Sequence, residues 1–365
     1  MKYEYTHFIP ENVAPKGATR IVVKKDGEEF SSISSSRFGG LSRPSGEPLY
    51  SFGLVSDCHT FKNATVTDGE WKGTQKLKNA LSYFSAQAQD CEFVIGCGDF
   101  TQTGFYLNNK DDYNESQMLN YKETIDQYAI PIFEIFGNHE NYWGRNITDN
   151  LTRATELTRI PATAYTVSSA PDSDEIDAKT VRPNRYAPVK DDLFILCGQP
   201  TSGAVMSADD YDWLAKTLYD NTDRRCFVVV HSYMEGDSGD ADNRRENSIF
   251  GTWDKTADFI ALLKQYPNVI LFHGHSHMKF KYQAVDPLAN FATVKGYKSV
   301  HVPSLGMPRD IDPTASADKD TPEDFKSSQC YRVDVYDDCI VLNGLELGTT
   351  GVPSVEVLGT LKINT

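Results

Sequence analysis

The sequence contains no apolar stretch approaching ~18 residues, so no segment is expected to cross a membrane as a helix. Residues 1–16 hold charges and prolines in place of an apolar run of signal-peptide length, which predicts a soluble chain without a secretion signal. A long basic run is also missing, and 51 acidic residues against 36 basic ones give a formal net charge of −15. A protein that tracks a nucleic-acid backbone by releasing counterions needs the opposite balance, so a polymeric nucleic-acid substrate is disfavoured. The 7 cysteines are an odd number with no CxxC pair and no dense disulfide spacing. Cys91, Cys97, Cys197 and Cys226 instead sit in or beside apolar, strand-like runs, where buried reduced thiols are expected. There is no internal repeat and no low-complexity tract. What remains is 365 residues with 39% hydrophobic content, enough for one large globular domain with appendages or two ordinary ones.

Residues 1–48 read as an N-terminal arm and linker. Two short strands, 19–25 and 28–33, turn at Asp26-Gly27, and a Ser/Gly/Pro-rich stretch follows. From 49 to 347 short apolar runs alternate with helical patterns, which predicts a layered α/β domain. Residues 348–365 are expected to form a C-terminal tail or strand. Leu77, Ala80, Leu81, Phe84 and Ala88 recur at helical spacing, and Ser207 with Asp210 opens another helix in capping-box style. The polar, proline-containing stretch 168–192 is expected to be a surface excursion and not an element of a sheet. Residues 330–336 and 339–345 read as two strands around Asp337-Asp338.

Five apolar runs terminate in residues that ligate metals: Asp57-Cys58-His59, Gly98-Asp99, Gly137-Asn138-His139-Glu140, His231, and Gly274-His275-Ser276-His277. Ligands of open α/β sheets bind outside the carboxyl ends of the strands, so these endings can meet in one place. Taken singly, Asp-x-His is more often a turn or helix cap, His231 a satisfied core or surface histidine, and His275-Ser276-His277 a surface loop. Five such coincidences at strand ends point instead to one shared site.

In this order the blocks resemble the signature of the calcineurin-like metallophosphoesterases: D-x-H, G-D-x-x-x-x-G, G-N-H-[DE], a strand-ending H, and G-H-x-H. The resemblance implies an α/β fold, a two-sheet β-sandwich flanked by helices, with the short N-terminal β-hairpin arm outside it. It assigns one metal to Asp57, His59, Asp99 and His277, and a second to Asp99, Asn138, His231 and His275. Imidazole-rich sites with carboxylates suit two divalent transition metal ions, Mn, Fe, Zn or Ni, whereas Mg or Ca would want fewer histidines. The activity implied is hydrolysis of phosphodiesters or small phosphoesters by a hydroxide shared between the metals, with a phosphomonoesterase using the same site as the alternative. His139 would face the leaving group and donate a proton or stabilise charge, or else only position a neighbour.

Some positions depart from the pattern or extend it. The second block reads Asp99-Phe100-Thr101-Gln102-Thr103-Gly104, lacking the Asp-Arg or Asp-Asn that many protein phosphatases of the family carry after the ligand Asp, which weakens a protein-phosphatase reading. Glu140 resembles the diesterase and small-phosphoester branches. Tyr142, Trp143 and Arg145 could stack on or grip a substrate at the cleft rim, or pack as an ordinary loop. Residues 235–247, rich in Gly, Asp and Asn, read as a loop over the site. The arm leading into residues 49–57 is similar to phosphoesterase modules of bacteriophage and prophage proteins, including tail-associated ones. That resemblance implies a virion or cell-envelope partner reached through the arm, teichoic-acid-like polymers as substrates, and a cytoplasmic or virion-associated location.

Overall fold

The structure, a computed structural model, describes residues 46–62, 67–86, 89–102, 111–141, 184–199, 205–206, 208–232, 253–282, 296–310, 323–351 and 354–365, together with three short N-terminal strands. Those strands, β1 (Tyr3–Tyr5), β2 (Val23–Lys25) and β3 (Glu28–Glu29), pair antiparallel in a small sheet. Lys25 lies opposite Glu28 across Asp26-Gly27, a dipeptide suited to a two-residue hairpin.

Beyond them the chain runs β4 (Tyr50–Val55), α1 (Gly73–Phe84), β5 (Cys91–Gly96), α2 (Asp111–Ile125), β6 (Ile132–Glu134) and the single-turn α3 (Asn138–Asn141). It continues through β7 (Asn184–Val189), β8 (Asp192–Cys197), α4 (Ala208–Asp220), β9 (Cys226–Val229), α5 (Thr256–Gln265), β10 (Val269–His273) and β11 (Lys298–His301). The last strands are β12 (Gln329–Val335), β13 (Cys339–Leu347) and β14 (Val355–Asn364). Six strands form one sheet in the order β14-β13-β12-β4-β5-β6, and five form another, β11-β10-β9-β8-β7.

Period-two alternation explains why the two sheets stack. Phe52, Phe93, Phe194, Phe227 and Phe272 turn inward between the sheets, while Val94, Ile195, Val228 and Leu271 turn outward to the helices. Phe52 stacks on Phe93 and meets Phe194 edge-on, both at 5.3 Å between ring centroids, and Phe227 stacks on Phe194 at 4.6 Å. Each such ring pair adds about 0.5–1.5 kcal/mol beyond burial. Leu77, Ala80, Leu81 and Phe84 place α1 on the outer face of the six-stranded sheet, as their spacing predicts; Ala88 and Ser207 lie outside the described residues. Asp68 caps α1, accepting the Thr74 and Gln75 amides at 2.8 and 2.9 Å. Leu214, Leu218, Phe259 and Leu262 do the corresponding packing for α4 and α5 on the five-stranded sheet.

One sequence expectation is corrected. Residues 184–189 are not a surface excursion but strand β7, paired antiparallel with β8 from Asn184↔Cys197 to Val189↔Asp192. Pro188 hid the strand, yet β7 is an edge strand, where a residue without an N–H is tolerated. Residues 168–183 lie outside the described residues. All seven cysteines are free thiols, and all but Cys91 are buried. No described helix is long and apolar enough to cross a membrane.

At the edge where β4, β8 and β9 begin, one buried ion pair ties the sheets together. Arg225 donates from Nε and Nη2 to the two Asp192 oxygens at 3.0 and 2.7 Å and from Nη1 to the Tyr336 carbonyl at 2.9 Å. The Tyr50 hydroxyl adds a bond to Asp192 at 2.6 Å. Removing one partner of such a pair strands a buried charge, at a cost of about 3–5 kcal/mol. Arg225→Ala is therefore expected to lower the unfolding free energy, read from urea denaturation, by an amount of that order, while the double variant Asp192→Asn/Arg225→Met loses much less.

Candidate metal centre

Parallel pairing of β4, β5 and β6 brings the residues just beyond these strands to one edge of the sandwich. There the loops after β4 and β5 continue to bond: the Asp57, His59 and Thr60 amides donate to the Gly98, Asp99 and Phe100 carbonyls at 3.0, 2.9 and 3.0 Å. Asp57, His59, Asp99, His275 and His277 all adopt left-handed backbone, with φ of 51°, 48°, 52°, 69° and 62°. A non-glycine residue held there costs on the order of 1–3 kcal/mol and persists where the surrounding structure over-determines it. That these five strained positions bring imidazoles and carboxylates to one spot marks a functional site.

The donor atoms of Asp57, His59, Asp99 and His277 lie within 4.8 Å of one another, and those of Asp99, His231 and His275 form a second group on the same terms. Asp99 belongs to both. His59 Nε2 lies 3.1 Å from His277 Nε2, and His231 Nε2 lies 3.1 Å from His275 Nδ1 and 3.2 Å from Asp99 Oδ2. Asn138 Oδ1 joins the second group, 2.9 Å from His231 Nε2. The structure thus brings together all seven residues expected as ligands.

The donor set fits a pair of cations. Asp57 Oδ1 is buried and makes no hydrogen bond, although His277 Nε2 is 3.1 Å away. Imidazole nitrogens and carboxylate oxygens converge with few protons to share, the arrangement that a first-row transition metal satisfies. Burial, helped by the neighbouring His139 and His277, holds the His59 pKa well below its ordinary value, so the ring is neutral and ready to ligate. Burial also pulls on His231, but the charge and hydrogen bond of Asp99 overcome it and raise its pKa to about 9. A metal entering there displaces that proton.

Buried supports fix the orientation of these groups. The Ser56 hydroxyl and the His275 amide donate to Asp57 Oδ2 at 2.5 and 3.0 Å. His231 Nδ1–H donates to the Cys97 carbonyl at 2.7 Å, which turns Nε2 toward the centre. Glu140 closes the loop around Asp99: Oε2 accepts the Asp99 and Gly137 amides at 3.1 and 2.9 Å, and Oε1 accepts the Thr101 amide and hydroxyl, both at 3.0 Å. Burial and the nearby Asp99 charge push Glu140 up to about 8, while these donors favour its ionised form. Glu134, buried at the end of β6, accepts the Tyr121 hydroxyl at 2.8 Å and is pushed up to about 8 by burial. It also takes a backbone hydrogen bond from Gly98 in the loop that carries Asp99, a support missed in the sequence, where the only signal is an acid inside the apolar run 132–136.

Gly137 faces Asp99 so closely that a Cβ there would lie 2.1 Å from Asp99 Oδ1 and 2.7 Å from the Asp99 amide nitrogen. Gly137→Ala must displace the carboxylate. A shift of ~1 Å at a reacting centre costs roughly 10²-fold, and we expect a loss of that order in turnover together with weakened metal retention, read by metal analysis after gel filtration.

His139 is the second residue of α3, and its amide donates to Asp99 Oδ1 at 2.9 Å. Its Nε2 lies 3.9 Å from Asp99 Oδ2, its ring meets His59 edge-on at 4.7 Å, and its side chain is 15% exposed. It is therefore placed beside His59 and the shared Asp99, and is only partly exposed. Tyr142, Trp143, Arg145 and residues 235–247, expected at the cleft rim or over it, lie outside the described residues.

With this geometry in place, comparison with known proteins is informative. Residues 50–279 match the family described as calcineurin-like phosphoesterase. Among solved structures, a dimetal phosphatase from Danio rerio aligns over 87% of this chain and 99% of its own, at 14% identity and a TM-score of 0.56. GAP50, the anchor in the inner membrane complex of Plasmodium, aligns over 86% of this chain and 88% of its own at 13% identity, with a TM-score of 0.44. No curated protein matches the sequence.

Proposed function

The chain belongs to the calcineurin-like phosphoesterase family, and from that premise we propose that it hydrolyses phosphodiesters or small phosphoesters at a centre of two divalent transition metals. The observation that carries this reading is the sharing of Asp99 between two buried ligand groups. Asp57, His59 and His277 would hold one ion, Asn138, His231 and His275 the other, and Asp99 both. Such ions, when bound, acidify water and neutralise charge on the phosphoryl oxygens. The protein's own part is to hold the ligands rigid, through Ser56, Glu140 and the Cys97 carbonyl, and to supply His139 for the proton that the departing oxygen needs.

A preference for diesters and small esters over phosphoproteins is supported by the block that follows Asp99. The block Asp99-Phe100-Thr101-Gln102-Thr103-Gly104 carries no Asp-Arg or Asp-Asn of the kind found in many protein phosphatases of the family, and within it Phe100 is buried against Tyr121 at 4.6 Å and Thr101 is bonded to Glu140. Neither is available to a substrate. The test is a panel of p-nitrophenyl phosphate, bis-p-nitrophenyl phosphate, cyclic nucleotides and glycerophosphodiesters, each assayed with Mn, Fe, Zn, Ni and Mg. Higher kcat/KM on the diesters is expected with a transition metal. Faster turnover of the monoester would assign a phosphomonoesterase, and no turnover with any metal would overturn the enzymatic reading.

A further inference from the structure

The turn that carries His275 and His277 presents one ligand to each half of the centre, on either side of Ser276. Both histidines take left-handed backbone, with φ of 69° and 62°, so the turn does not hold this shape by intrinsic preference. Its backbone is tied at four points: the Gly274 amide donates to the His231 carbonyl at 2.9 Å, the His275 amide to Asp57 Oδ2 at 3.0 Å, the Ser276 amide to the Gly274 carbonyl at 2.8 Å, and the Arg309 amide to the His277 carbonyl at 2.7 Å.

The Ser276 side chain points the other way, into the protein, where it is fully buried, and its Oγ lies 2.7 Å from Nε2 of His301. The Met278 amide donates to the same oxygen at 3.4 Å. His301 ends β11, directly across from His273 of β10, and the two rings meet at 5.6 Å. Its carbonyl accepts the Tyr331 hydroxyl at 3.1 Å from β12 of the facing sheet. Only 1% of His301 is exposed, and it belongs to neither ligand group.

We propose that His301 is a positioning residue for the metal centre, fixing through Ser276 Oγ the turn that presents His275 and His277. A strained turn bonded by its central side chain to a strand held by both sheets cannot rotate one imidazole without the other. Loss of that bond would loosen a ligand of each ion and leave a buried hydroxyl without its partner. The inference rests on the reading of the site as a metal centre.

The test compares Mn affinity, measured by titration with the free ion followed by electron paramagnetic resonance, and the visible spectrum of the Co-loaded protein. His301→Leu should weaken binding 10–100-fold, the usual cost of losing a partner that orients ligands, and should alter the Co spectrum. His301→Gln, whose amide can still reach Ser276, should recover most of both. Ser276→Ala should reproduce the loss, and the double variant should be no worse than either single one. Affinity unchanged in Ser276→Ala, or losses that multiply in the double variant, would overturn the role of His301, and Ser276→Ala decides the matter even if His301→Leu does not fold. Wild-type protein that binds no Mn would overturn the metal centre itself.

Discussion

Asp99→Ala is expected to reduce phosphoester hydrolysis by at least ~10³-fold, equivalent to about 4 kcal/mol of barrier, and to leave at most one metal per chain. The size of the effect comes from position. Asp99 Oδ2 lies 3.2 Å from His231 Nε2, 3.9 Å from His139 Nε2 and 4.0 Å from His59 Nε2, so it touches both ligand groups and the proposed acid. Its Oδ1 also accepts the His139 amide, which anchors α3. His59→Ala removes a ligand from one group only and should retain more metal and more activity. Metal analysis of both variants after reconstitution with excess Mn, alongside turnover of bis-p-nitrophenyl phosphate, separates these outcomes. Equal metal content in Asp99→Ala and wild type would contradict the shared role.

His139→Ala should keep both metals and still lose roughly 10²–10⁴-fold in rate, the span of a positioned general acid. The substitution is clean because the contact His139 makes to Asp99 Oδ1 comes from its backbone amide and survives the change. What disappears is an imidazole 15% exposed, 3.9 Å from Asp99 Oδ2. An alkoxide leaving group needs a proton and p-nitrophenolate does not, so the loss should be far larger on glycerophosphodiesters than on p-nitrophenyl esters. Equal losses on both would place His139 in substrate positioning, and loss of a metal would make it a support for the ligands.

The ligands were legible in the sequence because each sits within a few residues of a strand end, so a local block such as Asp57-Cys58-His59 states both the residue types and their place. The sandwich was legible through the family resemblance that these blocks carry; apolar runs such as 93–95 and 227–229 announce strands, and only the structure shows their successive residues facing opposite layers. Contacts between distant segments were not. Ser276 meets His301 from 25 residues away, and Glu140 reaches Asp99 across 41, with no local pattern that pairs them. Strand β7 was lost to Pro188, a breaker everywhere but at an edge, and β11 is only four residues long. Glu134 looked like an exception within an apolar run, and its burial beneath the Asp99 loop became visible only when β5 and β6 were paired.

The proposed dinuclear centre is tested most directly by anomalous diffraction at the manganese edge from crystals grown with excess Mn. Two peaks are expected, ~3.5–4 Å apart as in two-metal hydrolases, one among Asp57, His59 and His277, the other among Asn138, His231 and His275, with Asp99 between them. A single peak at full occupancy, or peaks away from these residues, would contradict it.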